Sequence, residues 1–267
     1  MIKRRQTLAT DLDGTLIPLD GVQKNIMDLG RLKKIISERN IQLIFVTGRH
    51  LESVRSAIED HQLPQPEHVI CDVGTSIYQL DSNNQFKLNK DYVRELHEIL
   101  SPNELQDFGR QLRTLSGLRR QEPHKQGPFK LSYYCDAARL SEFANLIQRR
   151  IQSETAPVQL IASVDPFNHD GLIDLLPQDV SKAFALAWWV QSSQTIAEGV
   201  VFAGDSGNDL AALTAGYRTI VVGNADGDLM DAVKMKHRQL GFIDRLFIAD
   251  EQATSGVLEG CRHWNIG

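Results

Sequence analysis

The sequence predicts an α/β fold, a parallel-sheet core interrupted by a second α/β domain. Three observations predict it. Short apolar runs alternate with amphipathic helical stretches in the first part of the 267 residues, the signature of strand, helix, strand units in a parallel sheet. The same alternation returns towards the C-terminus, and a segment of different pattern lies between the two. At 42% hydrophobic and 24% charged, the chain can bury one large core or a core and a smaller one, which excludes a disordered chain, a fibre or a short disulfide-stapled domain.

In chain order, residues 7–10 read as a short strand that ends on an acidic pair. Ile26, Leu29, Leu32, Ile35 and Ile36 recur at helical spacing, and 41–46 reads as a buried strand. A helix over 51–60 leads to a strand at 68–71, with Pro64 and Pro66 punctuating the connection. The polar turn Asp81-Ser82-Asn83-Asn84 opens the segment where the pattern changes, with helices over 92–100 and 140–152 and strands near 130–134 and 158–162. The alternation resumes with strands at 172–175, 199–203, 218–222 and 246–248, helices at 181–191, 209–215 and 228–236, and a last helix from Gly256. The expected domains are a discontinuous core, residues 1–81 and 171–267, around an insertion of residues 82–170. Trp188 and Trp189, beside Ala183, Leu186 and Ala187, are expected to pack in the core.

Lys and Arg number 29 against 34 Asp and Glu, a formal charge of −5 that argues against nucleic acid or an anionic membrane as the main partner. No apolar run approaches the roughly 20 residues that span a bilayer. Met1-Ile2-Lys3-Arg4-Arg5-Gln6, followed at once by Asp11 and Asp13, does not read as a signal peptide, so a cytoplasmic protein is expected. Cys71, Cys135 and Cys261 are far apart and odd in number, and indicate neither a disulfide framework nor a zinc cluster. His124 and His237 read as surface residues.

Four constellations carry chemistry, each just after or beside a strand. Asp11-Leu12-Asp13-Gly14-Thr15-Leu16 follows the first strand, where ligands sit outside the carboxyl ends of a parallel sheet. Asp11 suits a nucleophile or metal ligand, and Asp13 a general acid and base whose carbonyl helps hold a cation. Turn and cap residues explain the same letters. Thr47-Gly48-Arg49 follows the strand at 41–46 and offers a hydroxyl, a glycine amide and a helix N-terminus to an anion, although Thr47 as an ordinary N-cap accounts for it too. Lys182 stands at a helix start, where a cation opposes the helix dipole and suits a phosphate, or is simply solvated. Gly204-Asp205-Ser206-Gly207-Asn208-Asp209 adds two carboxylates and an amide after another strand, hard oxygen ligands of the kind that bind Mg²⁺, or else a Gly- and Asp-rich turn.

The order and spacing of these motifs resemble the haloacid-dehalogenase-like phosphohydrolases, in the branch that carries a large α/β cap between the second and third motifs. Within that branch, Cys71-Asp72-Val73-Gly74-Thr75-Ser76-Ile77, Pro128-Phe129-Lys130-Leu131-Ser132-Tyr133-Tyr134, Asp174-Leu175-Leu176-Pro177 and Ala253-Thr254-Ser255-Gly256-Val257-Leu258-Glu259-Gly260 resemble the sucrose-phosphate phosphatase group. One departure is Gly14-Thr15, where that group tends to have Asn-Thr.

The resemblance implies a Rossmann-like core with the site between core and cap, and a Mg²⁺-dependent phosphatase. Its substrate would be a disaccharide phosphate such as sucrose 6-phosphate, with mannosylfructose-phosphate, another glycosyl-phosphate, or small hexose and cofactor phosphates as alternatives. Asp11 would form an aspartyl-phosphate, and Asp13 would protonate the leaving sugar and then activate water. Asp11, Asp13, Asp205 and Asp209 would hold the metal; Thr47, Gly48, Lys182 and Asn208 would bind the phosphoryl oxygens. A sugar phosphomutase is the rival of another class, and a non-catalytic binding protein a further one. A glycosyl-phosphate synthase is a candidate partner. Gln121, Glu122, His124, Lys125, Gln126 and Lys130 form a segment able to bond sugar hydroxyls, or a solvated loop; the resemblance covers Lys130.

Overall fold

The structure, a computed structural model, describes residues 5–19, 21–165 and 168–266. Met1-Ile2-Lys3-Arg4, part of the N-terminal run read above, lie outside the described residues, as do positions 20, 166, 167 and 267. The chain first builds β1 (Thr7–Thr10), α1 (Gln23–Glu38), β2 (Gln42–Val46), α2 (Leu51–Asp60), β3 (His68–Cys71), β4 (Ser76–Leu80) and β5 (Phe86–Leu88). It continues through α3 (Lys90–Ile99), α4 (Pro102–Gln111), β6 (Arg119–Arg120), β7 (Leu131–Cys135), α5 (Leu140–Glu154), β8 (Val158–Val164) and β9 (Gly171–Pro177). Last come α6 (Lys182–Ser192), β10 (Val200–Gly204), α7 (Leu210–Leu213), β11 (Arg218–Val221), α8 (Gly227–Leu240), β12 (Leu246–Ile248) and α9 (Ala253–His263).

Among the described residues, the strands form an eight-stranded sheet, β12-β11-β10-β1-β2-β3-β4-β5, and a four-stranded sheet, β6-β7-β9-β8. From β12 to β3 the larger sheet is parallel, and β4 and β5 extend it as an antiparallel hairpin. This is the α/β fold that the alternation predicts, a Rossmann-like core with an inserted α/β domain. Leu8, Ala9, Ile44, Phe45, Val201 and Phe202 are fully buried, as strands covered on both faces require. The order reverses at β1: one run of the chain extends the sheet through β2, the other through β10. In open parallel sheets, the crevice at the carboxyl end of such a reversal holds the ligand.

The chain divides into two compact units, Met1–Leu88 with Ser181–Gly267, and Asn89–Val180. These bounds differ from the expected ones at both joints. The turn at Asp81 does not leave the first sheet, because Tyr78 pairs with Leu88 across the β4–β5 hairpin. The apolar strand 172–175 belongs to the smaller sheet, where β9 pairs antiparallel with both β7 and β8. An apolar run identifies a strand, not the sheet that receives it.

In the second unit, Leu105 and Phe108 of α4 and Phe143 and Ile147 of α5 pack with Leu131, Ile173 and Leu175 of the sheet. Helix α4 went unread, although Ser101 and Glu104 form a reciprocal capping box around Pro102, a local start signal. Two expectations fail in the first unit. Ile26 is 60% exposed while Asn25 and Asp28 are buried: Asn25 Oδ1 accepts from the Ser255 N–H at the start of α9 at 2.9 Å, and Asp28 pairs with Lys24 at 3.0 Å and Arg31 at 2.7 Å. His237 is fully buried, its ring nitrogens 2.7 and 3.0 Å from the carbonyl oxygens of Leu213 and Phe242. Trp189 is buried, as expected, while Trp188 is only half-buried; all three cysteines are buried. None of the described helices is long and apolar enough to cross a membrane.

Candidate active site

Strand ends place the first set of side chains. The Asp11 N–H bonds Ala203 O at 2.9 Å, so the β1–β10 ladder runs one residue past Thr10 before the chain turns. Asp205 follows Gly204 at the end of β10, and Thr47 follows Val46 at the end of β2. All three leave the same carboxyl edge. The turn after Asp11 needs Gly14: its φ is +78°, and a Cβ there would lie 2.3 Å from Asp205 Oδ2. Asp205 is held by that turn, accepting from Thr15 Oγ1 at 2.6 Å and from Asn224 Nδ2 at 3.4 Å; Asn224 also donates to Gly14 O at 2.8 Å.

Lys182, the first residue of α6 after the Ser181 N-cap, reaches into this group. Its Nζ lies 2.9 Å from Asp11 Oδ1, 2.8 Å from Asp209 Oδ1 and 2.6 Å from Asn208 Oδ1. Asp11, Lys182 and Asp209 are 4%, 1% and 0% exposed, so these charges meet away from bulk water. The other oxygen of Asp209 accepts from the backbone N–H groups of Asp205 and Ser206, closing the turn that carries the motif.

Burial pushes the Asp11 carboxyl well above the usual carboxylate range, with Lys182 opposing and Asp209 and Asp205 reinforcing the shift. Burial also raises Asp205, to about 6, against the Thr15 hydrogen bond and with the help of Asp209. For Lys182, burial favours the neutral amine, but the charges of Asp11 and Asp209 outweigh it and hold the group above its ordinary value. Asp11, Asp205 and Asp209 each present an oxygen within 4.8 Å of the others. Three carboxylates face one ammonium, and an all-oxygen set with surplus negative charge fits a hard divalent cation such as Mg²⁺.

The second motif stands on the other side of Asp13. Arg49 Nε donates to Asp13 Oδ2 at 2.7 Å and Nη2 to Oδ1 at 2.6 Å. Thr47 is buried, and its hydroxyl accepts from the Arg49 N–H at 3.2 Å. Behind it runs Asp72-Val73-Gly74, three successive residues with φ of +53°, +59° and +101°. For β-branched Val73 this is a strained conformation. The turn is clamped: the Val73 N–H bonds Thr47 O at 3.2 Å, the Asp72 N–H bonds Arg49 O at 2.9 Å, and a Cβ on Gly74 would lie 2.2 Å from Ser181 O. It therefore wedges the end of β2 against the residue before Lys182.

In the second unit, Lys125 Nζ donates to Tyr134 Oη at 2.5 Å, and Tyr134 Oη to Glu122 Oε2 at 3.1 Å. Gln121 Nε2 donates to Tyr133 O at 3.3 Å, and Gln126 bonds Gln121 O and Ser132 O, both at 3.0 Å. Lys130 is 5% exposed, whereas His124 is exposed.

The structure thus brings Asp11, Lys182, Asp205, Asn208 and Asp209 together and sets Asp13 against Arg49. Thr15, Asn224 and Arg49 escaped the sequence reading as partners of these groups. Arg49 had a signal, since a cation just before the first turn of α2 opposes the helix dipole as Lys182 does. Asn224 sits two residues past Val222, again at a parallel strand's carboxyl end.

Comparisons with known proteins give the family of the chain. A protein of Nitrosococcus oceani described as "Putative HAD-like hydrolase" is 33% identical over 98% of this chain and 72% of its own. The mannosylfructose-phosphate phosphatase of Agrobacterium fabrum is 27% identical over 99% of both chains. The sucrose-phosphatase of Synechocystis, solved in complex with sucrose and phosphate, shares the fold with a TM-score of 0.79 over 98% of each chain at 24% identity. The sequence profile of the family described as sucrose-6F-phosphate phosphohydrolase matches residues 4–265, so this chain, a phosphoric monoester hydrolase of the haloacid-dehalogenase type, belongs to that family.

Proposed function

We propose that the protein is a Mg²⁺-dependent phosphatase of sugar phosphates, with a disaccharide phosphate such as sucrose 6-phosphate as its substrate. The observation that carries this reading is the convergence of Asp11 and Asp209 on one buried lysine, with Asp205 beside them, at the reversal point of a parallel sheet. Asp11, Asp205, Asp209 and the Asp13 carbonyl would hold the cation, which offsets the charge of the phosphoryl group being transferred.

Asp11 attacks phosphorus as the bond to the sugar oxygen breaks, which leaves an aspartyl-phosphate. Asp13 gives a proton to the departing oxygen and then accepts one from the water that releases phosphate. Lys182, Asn208, the Thr47 hydroxyl and the Gly48 N–H bind phosphoryl oxygens. Sugar selectivity is assigned to the second unit, with Gln121, Glu122, Lys125 and Lys130 as its candidates, since the first set of residues addresses only phosphate and metal.

The family match and the phosphatase from Agrobacterium fabrum, which is named for mannosylfructose-phosphate, support a sugar phosphate and make that compound the second substrate to try. The test is a panel of sucrose 6-phosphate, mannosylfructose-phosphate, hexose phosphates and a nucleotide, assayed for phosphate release with and without Mg²⁺. We expect release that needs Mg²⁺ and favours a disaccharide phosphate. Equal rates across the panel would remove the disaccharide assignment, and an isomerised ester in place of free phosphate would make the enzyme a mutase.

A further inference from the structure

Asp13 and Arg49 differ from the buried members of the edge cluster. Their side chains keep 27% and 23% exposure, where Lys182 and Asp209 keep 1% or less. Arg49 grips Asp13 with two N–H groups, one on each carboxylate oxygen, at 2.7 and 2.6 Å. A fork of this kind fixes the plane of the carboxylate as well as its distance. Arg49 is itself held, because Nη1 donates to Ser53 Oγ at 3.0 Å in the first turn of α2.

Stability does not explain the arrangement. A partly exposed ion pair contributes about 1 kcal/mol or less, and a cation at the start of a helix opposes its dipole. What the fork does control is the attitude of Asp13. A guanidinium has five donors and no acceptor, so it matches a carboxylate that accepts and not a carboxyl group that delivers a proton.

We infer that Arg49 is a positioning residue for Asp13: it holds the carboxylate in its proton-accepting arrangement for the attack of water, and releases it when Asp13 hands a proton to the leaving sugar oxygen. The inference rests on the hydrolytic reading above. In the first step, the Asp11–phosphorus bond forms, the phosphorus–sugar oxygen bond breaks, and the proton of Asp13 goes to that oxygen. In the second, the water oxygen bonds phosphorus, the Asp11–phosphorus bond breaks, and a water proton goes to Asp13. The fork serves the second step. Its loss slows breakdown of the aspartyl-phosphate more than its formation.

The test compares wild type with R49M, R49K, D13N and the R49M/D13N double variant. Steady-state rates are measured on a sugar phosphate and on p-nitrophenyl phosphate, whose good leaving group keeps the D13N variants measurable, and the phosphoryl-enzyme is trapped by quenching. R49K keeps the charge without the fork, so it checks that any loss is not a failure to fold. We expect R49M to lower kcat by about 10²-fold with KM changed less than about threefold, and R49K to recover only part of this. The trapped phosphoryl-enzyme should rise, and in the D13N background R49M should add less than about twofold. S53A should lower kcat in the same direction by a few-fold, since it loosens Arg49 alone. Losses that multiply in the double variant, or a raised KM at unchanged kcat, would overturn the inference while leaving the phosphatase reading intact. A wild type that releases no phosphate from any ester would overturn both.

Discussion

The two units use buried polar groups differently. In the second unit, donors and acceptors are matched one for one: Ser132 Oγ donates to Asp174 Oδ1, the Ser132 N–H donates to Gln126 Oε1 at 2.9 Å, and the Gln126 amide returns to backbone carbonyls. In the first, one ammonium faces three carboxylates, and two of them titrate well above their ordinary range. A matched network rigidifies a loop and needs nothing more. An unmatched one stores electrostatic strain that a cation and a phosphate can relieve, and it marks where chemistry is expected.

The strongest way to break this contrast is Asp11→Asn. It should lower phosphatase turnover by about 10⁴-fold or more, with unchanged circular dichroism, because an amide keeps the shape and cannot attack phosphorus. Retained turnover on every substrate of the panel would remove Asp11 as nucleophile. Lys182→Met should cost metal-free protein about 3–5 kcal/mol in denaturant unfolding, since it strands buried carboxylates, and Mg²⁺ should restore part of that loss. Unchanged stability without metal would show that the carboxylates do not depend on the ammonium.

Asp205→Asn sharpens the same contrast through pH. Because the folded carboxyl titrates near 6, above its unfolded value, the native state is favoured while the group is protonated. That contribution is complete below the ordinary carboxylate range and is lost as pH rises through about 6. Without metal, the variant should therefore be more stable than wild type at pH 8, by up to about 3 kcal/mol in denaturant unfolding, with the advantage gone near pH 4. A difference that stays flat over this range would contradict it. The smallest effect is expected from Lys125→Ala in the second unit. Stability should move by less than about 0.5 kcal/mol, since the side chain is partly exposed. KM for a disaccharide phosphate should rise several-fold while KM for p-nitrophenyl phosphate holds, and parallel changes in both would separate Lys125 from sugar recognition.

Most of this first unit was legible in the sequence, because the candidates Asp11, Thr47 and Asp205 each follow a short buried strand and strand ends converge in a parallel sheet. The run 41–46 places Thr47, and 199–203 places Asp205, without knowledge of any contact. What could not be read is what crosses the edge. That Asn224 bridges Gly14 and Asp205, or that Arg49 turns onto Asp13, depends on register between strands far apart in sequence. The sheet that takes residues 171–177 was misread for the same reason, since Leu172 to Leu176 are apolar enough for either sheet. In α1, the buried Asn25 and Asp28 defeat the rule of apolar inner faces, because Asn25 accepts from the Ser255 N–H of a helix near the other end of the chain and Asp28 pairs with Lys24 and Arg31.

The order of strands also bears on how the molecule is made. Asn89–Val180 is one uninterrupted stretch whose strands pair with near neighbours, so it can close as soon as it leaves the ribosome. β1 cannot complete its pairing until β10 arrives, when most of the chain has been synthesised, and contacts of such separation form slowly. Asp11 waits through that interval at the end of a strand that β2 alone can pair. A newly begun chain therefore lacks Lys182, Asp205 and Asp209 altogether, and the proposed site is assembled only with the last third of translation.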